Sequence, residues 1–101
     1  MTVSYNENGG LLCIELFGEL GHHEAIDAME NISALYECVI PKEVILDLGG
    51  LSFMDSSGIA VVMKIKKLCD NDGIKITVKN TPTHAFKILS AAGITRLVSF
   101  V

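Results

Sequence analysis

The sequence predicts an α/β sandwich, in which a mixed sheet of four to five strands carries helices packed on it. The tripeptide Asn8-Gly9-Gly10 is a hairpin signal between two early strand-like segments, and it predicts an antiparallel pair. Apolar residues then recur at helical spacing in segments that alternate with β-rich segments. This order, ββαβαβα(β), predicts parallel strands joined by right-handed crossovers.

The first two strands are predicted at Val3–Glu7 and Leu11–Phe17. The second is the returning strand of the hairpin that Asn8-Gly9-Gly10 predicts. Gly18 follows the second strand and is expected to end it, because glycine weakens a strand.

The first helix is predicted from about His22 to Cys38. One of its faces is apolar and would pack on the sheet, while acidic and amide side chains lie away from that face. Pro41 marks the exit, because proline cannot continue a helix. The apolar positions are Ala25, Ala28, Met29, Ile32, Leu35, Tyr36 and Val39.

The segment Glu43–Leu48 is almost entirely apolar, which is typical of a central strand buried on both faces. Gly49-Gly50 is expected to break this strand. The second helix is predicted from about Ser57 to Asp70, and Asn71-Asp72-Gly73 turns the chain after it. Its sheet-facing positions are Gly58, Val61, Val62, Ile65, Leu68 and Cys69.

The last part of the chain is predicted to form a strand at Ile74–Lys79 and a third helix. Thr81 is the expected N-cap of that helix, with Pro82 at its first position. Gly93 suits the position just after the helix, and Val98–Val101 is a candidate last strand. The apolar face of this helix consists of Ala85, Ile88, Leu89 and Ala92.

Composition narrows the class of protein. A chain of 101 residues, half of them hydrophobic, is expected to form one domain spanning 1–101 with a core of its own. The net charge of −4 argues against a nucleic-acid partner, which requires a basic surface. No apolar run reaches the about 18 residues of a membrane span, and the N-terminus does not resemble a signal peptide. We therefore expect a cytoplasmic protein without a membrane or nucleic-acid partner.

The three cysteines are expected to act as small buried hydrophobic residues in a reducing compartment. They are odd in number and no Cys-x-x-Cys motif joins them, so neither a disulfide nor a metal site is predicted. His22-His23 also gives no metal site, because adjacent histidines on a helix point in different directions. No cofactor is predicted. The cysteines are Cys13, Cys38 and Cys69.

The most informative segment is Ser52–Gly58, where a strand ends and a helix begins at two serines. A serine at a helix N-terminus lies beside unpaired backbone N–H groups and the positive end of the helix dipole, and this setting suits a phosphoryl group. An alternative is purely structural, since Asp55 or Ser56 could simply cap the helix and Ser57 could fill its first turn. An enzymatic serine is not predicted, because the Gly-x-Ser-x-Gly elbow is absent.

Helical phase indicates a stripe on the second helix that faces away from the sheet, formed by Ser56, Ala60, Met63 and Lys67. Ile59 and Lys66 flank it. The stripe is small and partly apolar, so it is either a docking face for a partner or a set of isolated exposed apolar residues. The basic cluster Lys64, Lys66 and Lys67 is likewise either a solvated face or a partner contact.

Two motifs carry a resemblance to a known family. Leu51-Ser52-Phe53-Met54-Asp55-Ser56-Ser57-Gly58 resembles the phosphorylation loop of the STAS domain in bacterial anti-sigma factor antagonists. Leu16-Phe17-Gly18-Glu19-Leu20-Gly21-His22-His23 resembles the family's Gly-Glu-Leu-Asp-His-His-type turn into the first helix. The motifs stand about 35 residues apart in the family's order, and the resemblance runs from about Val3 to Phe100.

The resemblance implies a STAS-like sandwich that acts by regulated binding and is not an enzyme. Its partners would be a serine kinase that is also an anti-sigma factor, and a PP2C-type phosphatase. Binding of the unphosphorylated form would release a sigma factor, and phosphorylation of Ser56 would inactivate the chain. The predicted partner contacts are Asp55, Ser57, Gly58, Ile59, Ala60, Met63, Lys67, Gly21, His22 and His23.

The chain departs from the family at Gly21, where the family usually has Asp. Glycine can also serve as an N-cap, so the helix is expected to form, while any polar contact of the missing carboxylate is lost. Two alternatives remain for the function: a STAS module acting as a non-phosphorylated structural partner in a transporter or lipid-trafficking assembly, and a STAS domain that binds a nucleotide or small molecule.

Overall fold

The computed structural model describes all 101 residues, which form a five-stranded sheet and three helices. The predicted order of elements and the last short strand are confirmed, and a short 3-10 helix at Ile94–Arg96 is added. No helix has the length and apolar character needed to cross a membrane. The elements are β1 (Thr2–Asn8), β2 (Leu11–Leu20), α1 (His22–Val39), β3 (Glu43–Met54), α2 (Ser57–Asn71), β4 (Lys75–Lys79), α3 (Thr83–Ala91) and β5 (Ser99–Phe100).

The sheet is mixed, as predicted. Its strands lie in the order β1-β2-β3-β4-β5, with β1 antiparallel to β2 and all later pairs parallel. The hairpin turn between β1 and β2 uses Gly9 and Gly10, whose φ values of +61° and +93° lie in the left-handed region. Glycine tolerates this region without the Cβ clash that other residues meet.

Only one face of the sheet is covered by helices, so the prediction that β3 is buried on both faces is wrong. Right-handed crossovers from β2 to β5 all advance in the same direction across the sheet, and they therefore leave their helices on one side. Alternate strand residues show the difference. The covered face contains Leu12, Ile14, Val44, Leu46 and Val78, all fully buried, and the open face contains Cys13, Glu15, Ile45, Asp47 and Thr77, all half-buried.

Two glycine positions that were expected to end strands lie inside them instead. β2 continues past Gly18 to Leu20, and β3 continues past Gly49-Gly50 to Met54. The register between β2 and β3 shifts at these points, which is the signature of β-bulges. A Cβ on Gly50 would overlap the ring of Phe17, so the glycine permits a close approach of the two strands.

The helices follow the predicted apolar faces, with two errors in α3: its start, and Ala92, which is exposed just after the helix ends. Thr81 is not the N-cap: Pro82 occupies that position and makes no side-chain cap hydrogen bond. The Thr81 hydroxyl has no hydrogen-bond partner. The prediction for the end of α3 is confirmed, since Gly93 follows the helix with a φ of +81°.

Tyr36 joins α1 to the C-terminal end of α2. Its hydroxyl lies 2.7 Å from Asp72 Oδ2 and 3.1 Å from the Leu68 carbonyl oxygen. Burial, and then the hydrogen bond to Asp72, raise the pKa of Tyr36 above its ordinary value. The hydroxyl therefore stays protonated and fixes how the two helices lie side by side.

Of the three cysteines, only Cys69 is buried as predicted. Burial raises its pKa to about 11, which keeps the thiol neutral and unreactive. Cys38 is exposed on α1, so its prediction as a buried residue is wrong, and Cys13 is half-buried on the open face of the sheet. Cys38 lies on the outer face of α1, although the buried Tyr36 and the half-buried Val39 nearby still pack against the core.

Candidate functional site

The candidate site lies where β3 ends and α2 begins, with only Asp55 and Ser56 between the two elements. Met54 is the last residue of β3 and is buried. A Cβ on Gly58 would overlap the Met54 side chain, so the first turn of α2 packs directly on the strand end. Gly58 is itself buried, and the close approach that it permits is to Met54 rather than to a partner.

Asp55 caps α2. Its Oδ1 accepts a hydrogen bond from the Ser57 N–H at 2.8 Å, and its carbonyl oxygen accepts one from the Gly58 N–H at 3.1 Å. The Asp55 N–H donates to the Leu20 carbonyl oxygen at 3.3 Å, which ties the turn to the end of β2. The sequence left open whether Asp55 or Ser56 caps the helix, and the capping side chain is that of Asp55.

Ser56 is exposed and its side chain makes no hydrogen bond to the start of the helix. Its backbone already has helical angles, φ −63° and ψ −15°, so the hydroxyl does not point back at the N–H groups as a capping serine would. Ser57 is half-buried beside it. Of the two serines, Ser56 is therefore the one that a modifying enzyme can reach most freely.

The backbone N–H groups next to Ser56 are not free, contrary to the expectation from the sequence. Those of Ser57 and Gly58 are bound to Asp55, and that of Ile59 donates to the Ser56 carbonyl oxygen at 3.1 Å. A group added to Ser56 would thus meet the positive end of the α2 dipole, but it would have to compete with Asp55 for the nearest N–H donor.

The two motifs of the sequence meet at this point. The backbone of Gly21, the N-cap of α1, lies so close that a Cβ there would be 3.7 Å from Asp55 Oδ2 and 2.8 Å from Glu24 Oε1. Glu24 Oε1 accepts a hydrogen bond from the Gly21 N–H at 3.0 Å. An aspartate at position 21, as the family usually has, would therefore bring a third carboxylate beside two others. The N-termini of α1 and α2 are neighbours here.

Gly21 is buried, so its predicted contact with a partner does not fit its position. His22 and His23 follow it on the surface and are both exposed, with their rings packed edge to face at 5.6 Å. No group of three or more His, Cys, Asp or Glu side chains lies together as a metal site would require. Both histidines are accessible at the rim of the site.

The predicted stripe on α2 faces solvent. Ala60, Met63 and Lys67 are exposed, with 37% of the Met63 surface accessible, and Ile59 is half-buried beside them. The opposite side of α2 is buried in the core through Val61, Val62, Ile65 and Cys69. The helical phase inferred from the sequence is therefore correct, and Ser56 precedes an exposed, partly apolar row.

The sequence did not reveal that Met29 of α1 lies beside this row. Met29 lines the same groove as Met63 and Lys64. Its position on the apolar face of α1 was predicted, but no sequence pattern states which helices lie next to each other. The position of Met29 beside Met63 could have been predicted only if the packing of α1 against α2 had been known.

Known proteins with similar sequences are named as anti-sigma F factor antagonists. One from Paenibacillus polymyxa is 27% identical over 100 residues, which cover 97% of this chain and 84% of that protein. Another from Lysinibacillus sphaericus is 39% identical over 71 residues, which cover 69% of this chain and 61% of that protein. These names describe the relatives.

The fold agrees with solved structures of this kind. The unphosphorylated anti-sigma factor antagonist SpoIIAA superposes with a TM-score of 0.84 at 23% identity, over 99% of this chain and 88% of that one. A SulP transporter STAS domain from Vibrio cholerae superposes with a TM-score of 0.68 at 22% identity, over 95% and 77%. The family model of the STAS domain matches residues 2–101, and the chain belongs to the STAS domain family.

Proposed function

We propose that this chain is an anti-sigma factor antagonist that is switched off by phosphorylation of Ser56. In its unphosphorylated form it would bind an anti-sigma factor that is also a serine kinase, and a sigma factor would be released. The observation that carries the proposal is the exposed Ser56 hydroxyl at the start of α2. This hydroxyl makes no capping hydrogen bond, because the Asp55 side chain caps the helix. The names of the sequence relatives agree with this function.

The modification would be a phosphoryl transfer from ATP. The Ser56 Oγ–P bond forms, the bond from the γ-phosphorus to the ADP oxygen breaks, and a base of the kinase takes the hydroxyl proton. The chain supplies only the acceptor, so it would act as a binding regulator and not as an enzyme. A metal-dependent PP2C-type phosphatase would hydrolyse the phosphoserine and restore the active form.

The docking face would be the exposed row of α2 formed by Ala60, Met63 and Lys67, with Ile59 at its side. Met63 supplies an adaptable apolar contact, and the flat small side chain of Ala60 allows close approach of a partner. Of the other predicted contacts, Asp55 before α2 and Ser57 at the first position of α2 are half-buried, and His22 and His23 are exposed nearby. We propose that these four lie at the rim of the interface.

Phosphorylation would break the complex because Ser56 stands at the end of this row. The phosphate adds about −1.5 to −2 charges and three acceptor oxygens at the edge of the docking face. When the partner covers the site, the phosphate loses its hydration and has no cation beside it. This desolvation costs several kcal/mol of binding free energy. This loss is enough to release a partner bound with micromolar affinity.

The decisive experiment is phosphopeptide mapping after incubation with the anti-sigma kinases of the host and ATP. We expect one phosphate on Ser56, none on Ser56→Ala, and unchanged modification of Ser57→Ala. Ser56→Ala should also bind the kinase constitutively, whereas Ser56→Asp should weaken binding only in part, since one carboxylate carries less charge than a phosphate. A phosphate found on Ser57 alone would contradict the proposal.

The docking face can be tested separately with Met63→Asp. We expect it to weaken kinase binding by more than about 1 kcal/mol, because it buries an unpaired charge in the interface. Thermal stability should stay nearly unchanged, because Met63 points away from the core. Leu97→Asp, an exposed leucine beyond α3, is the matched control and should bind normally.

One alternative has an observation in its favour, since transporter STAS domains share this fold. A structural module of that kind would not need a phosphoacceptor, so the kinase assay distinguishes it from the regulator: no modification by any host kinase would favour the module. The proposed regulator would work in the cytoplasm, where sigma factors, kinase and ATP are found, and it would need no cofactor.

A further inference from the structure

A groove of about 600 Å³ runs along the exposed side of α2, next to α1. Its apolar part is formed by Met29 of α1 and by Ala60 and Met63 of α2. The groove follows α2 from Ala60 to Asn71, which is about 16 Å at 1.5 Å per residue. This length accommodates about three turns of a helix, and the two methionines that line the groove can adapt to an apolar side chain.

The charged side chains at the groove are mainly basic, although the whole chain is acidic with a net charge of −4. Lys66 is paired with Asp70 at 2.6 Å. The other ion pair within 4.0 Å joins Lys79 to Asp47 on the open face of the sheet. Lys64 and Lys67 therefore have no carboxylate at that distance, and both stand beside the methionines.

Apart from Asp70, which is paired with Lys66, the acidic side chains nearby lie on the α1 side. A second groove of about 480 Å³ shares Met29 and Lys64 with the first and is bordered by Glu30 and Glu37. A negatively charged ligand would thus be repelled along α1 and attracted along α2. Because of this difference in charge, the carboxylates of a ligand should lie against Lys67, and against Lys64 on the side that faces away from Glu30 and Glu37.

We propose that the groove between α1 and α2 binds an acidic amphipathic helical segment of the protein partner, with apolar side chains on Met29 and Met63 and carboxylates against Lys64 and Lys67. The inference rests on the proposed function in taking α2 as the docking face. It adds α1 to that face and specifies the chemistry of the segment that lies on it. Met63 and Lys67 are four residues apart, so one helical turn of the segment contacts both.

Distance along α2 limits which part of the groove a charge at Ser56 would affect. Ala60 lies about 6 Å from Ser56 along the helix axis and Lys67 about 16 Å, at 1.5 Å per residue. The Debye length is about 8 Å at physiological ionic strength. Phosphate on Ser56 would therefore repel the end of an acidic segment that lies near Ala60, while its effect at Lys67 would be largely screened.

The test uses the full chain labelled at its methionine methyl groups and two synthetic helical peptides of 18 residues. Both carry leucine at helical spacing, and their flanks consist of glutamate in one and of lysine in the other. We expect the glutamate peptide to shift the NMR methyl signals of Met29 and Met63 but not those of Met1 or the buried Met54. The lysine peptide should shift none, and binding of the glutamate peptide should weaken as salt is added.

Charge reversal makes the test specific. The double variant Lys64→Glu, Lys67→Glu should bind the glutamate peptide about tenfold more weakly, since each exposed pair is worth up to about 1 kcal/mol. Lys75→Glu, Lys87→Glu changes the net charge equally on β4 and α3 and should leave the affinity within about twofold. Circular dichroism of both variants checks that the fold is intact.

Several results would overturn the inference: no methyl shift in a saturating excess of peptide, equal shifts with both peptides, or a shift of Met1. A dimer of the free chain in sedimentation equilibrium, dissociated by the reversal at Lys64 and Lys67, would instead assign the groove to a second copy through Glu30 and Glu37. The experiment uses neither kinase nor ATP. Its failure is therefore distinct from a failure of Ser56 phosphorylation.

Discussion

The N-termini of α1 and α2 are neighbours, yet they satisfy their first N–H groups in different ways. At α1 the N-cap is Gly21, which has no side chain, and the Glu24 carboxylate three residues later accepts the Gly21 N–H. At α2 the cap is the Asp55 side chain, which precedes Ser56 and accepts a hydrogen bond from the Ser57 N–H. Only the second arrangement presents a hydroxyl that has no structural task.

Under the proposed function, this difference would let the start of α2 be stable and still offer a serine for phosphorylation. A capping serine is poorly suited to modification, because its oxygen is already a hydrogen-bond acceptor within the helix. Transfer of the cap to Asp55 leaves Ser56 exposed on the first turn. The α1 terminus has no serine at the equivalent place, and it supports the fold without offering a site.

The largest difference between the two helix starts is expected when a side chain is added to Gly58 of α2 or to Gly21 of α1. Gly58→Ala places a Cβ against the buried Met54 side chain, and we expect the overlap to lower the free energy of unfolding by about 1–2 kcal/mol, even after the helix-propensity gain of alanine. Gly21→Ala meets only the flexible end of Glu24 and should cost about 0.5 kcal/mol or less. Urea denaturation measures both. Equal costs would show that the two termini are packed alike.

The next largest difference in stability is expected between variants of Asp55, which caps α2, and of Ser56, which does not. Asp55→Ala removes the cap of α2 and should lower the free energy of unfolding by about 1 kcal/mol. Ser56→Ala removes no hydrogen bond and should change it by less than about 0.5 kcal/mol. The same denaturation experiment compares them. If Ser56→Ala proved the more destabilising, the serine would be the true cap and its availability would be in doubt.

A smaller effect is expected from Glu24→Gln at α1. Glutamine keeps an oxygen that can accept the Gly21 N–H, so the variant removes charge but not the acceptor. Loss of the favourable interaction with the helix dipole should cost about 0.5 kcal/mol or less, and relief of repulsion from the nearby Asp55 carboxylate offsets part of it. A matched Asp55→Asn variant should cost more in the same measurement. A larger loss for Glu24→Gln would indicate that its charge, rather than its oxygen, holds α1.

The sequence predicted the elements, the mixed sheet and the exposed row of α2, because each depends on local periodicity. It failed where tertiary contacts override local preference. Gly49-Gly50 reads as a strand end, but close packing against Phe17 turns it into a bulge inside β3. Thr81-Pro82 reads as a cap followed by a helix start, but the helix begins one residue later.

The candidate site was also predictable only in part. The motif identified Ser56 and Asp55, and helical phase identified Met63 and Lys67. Whether Asp55 or Ser56 caps the helix depends on side-chain geometry that both residue types can adopt. The proximity of Gly21 to Asp55 depends on how α1 and α2 begin side by side, and burial of Gly58 depends on Met54. Each of these features depends on contacts between separate segments, so the sequence of one segment cannot predict it.

The smallest structural change is expected from phosphorylation itself. The phosphate gains from the α2 dipole, about 0.3–1 kcal/mol at an exposed site, and it is repelled by Asp55, so the net change in stability should be slight. Competition for the Ser57 N–H confines the response to the cap, and we expect amide shifts in NMR only at residues 55–59 and at the neighbouring turn 20–24. In Asp55→Asn the phosphate has no charged competitor, and the Ser57 amide should shift further downfield than in the phosphorylated native chain. Shifts that spread through the sheet and α3 would contradict this local mechanism, because they would require a second conformation of the domain that phosphate favours.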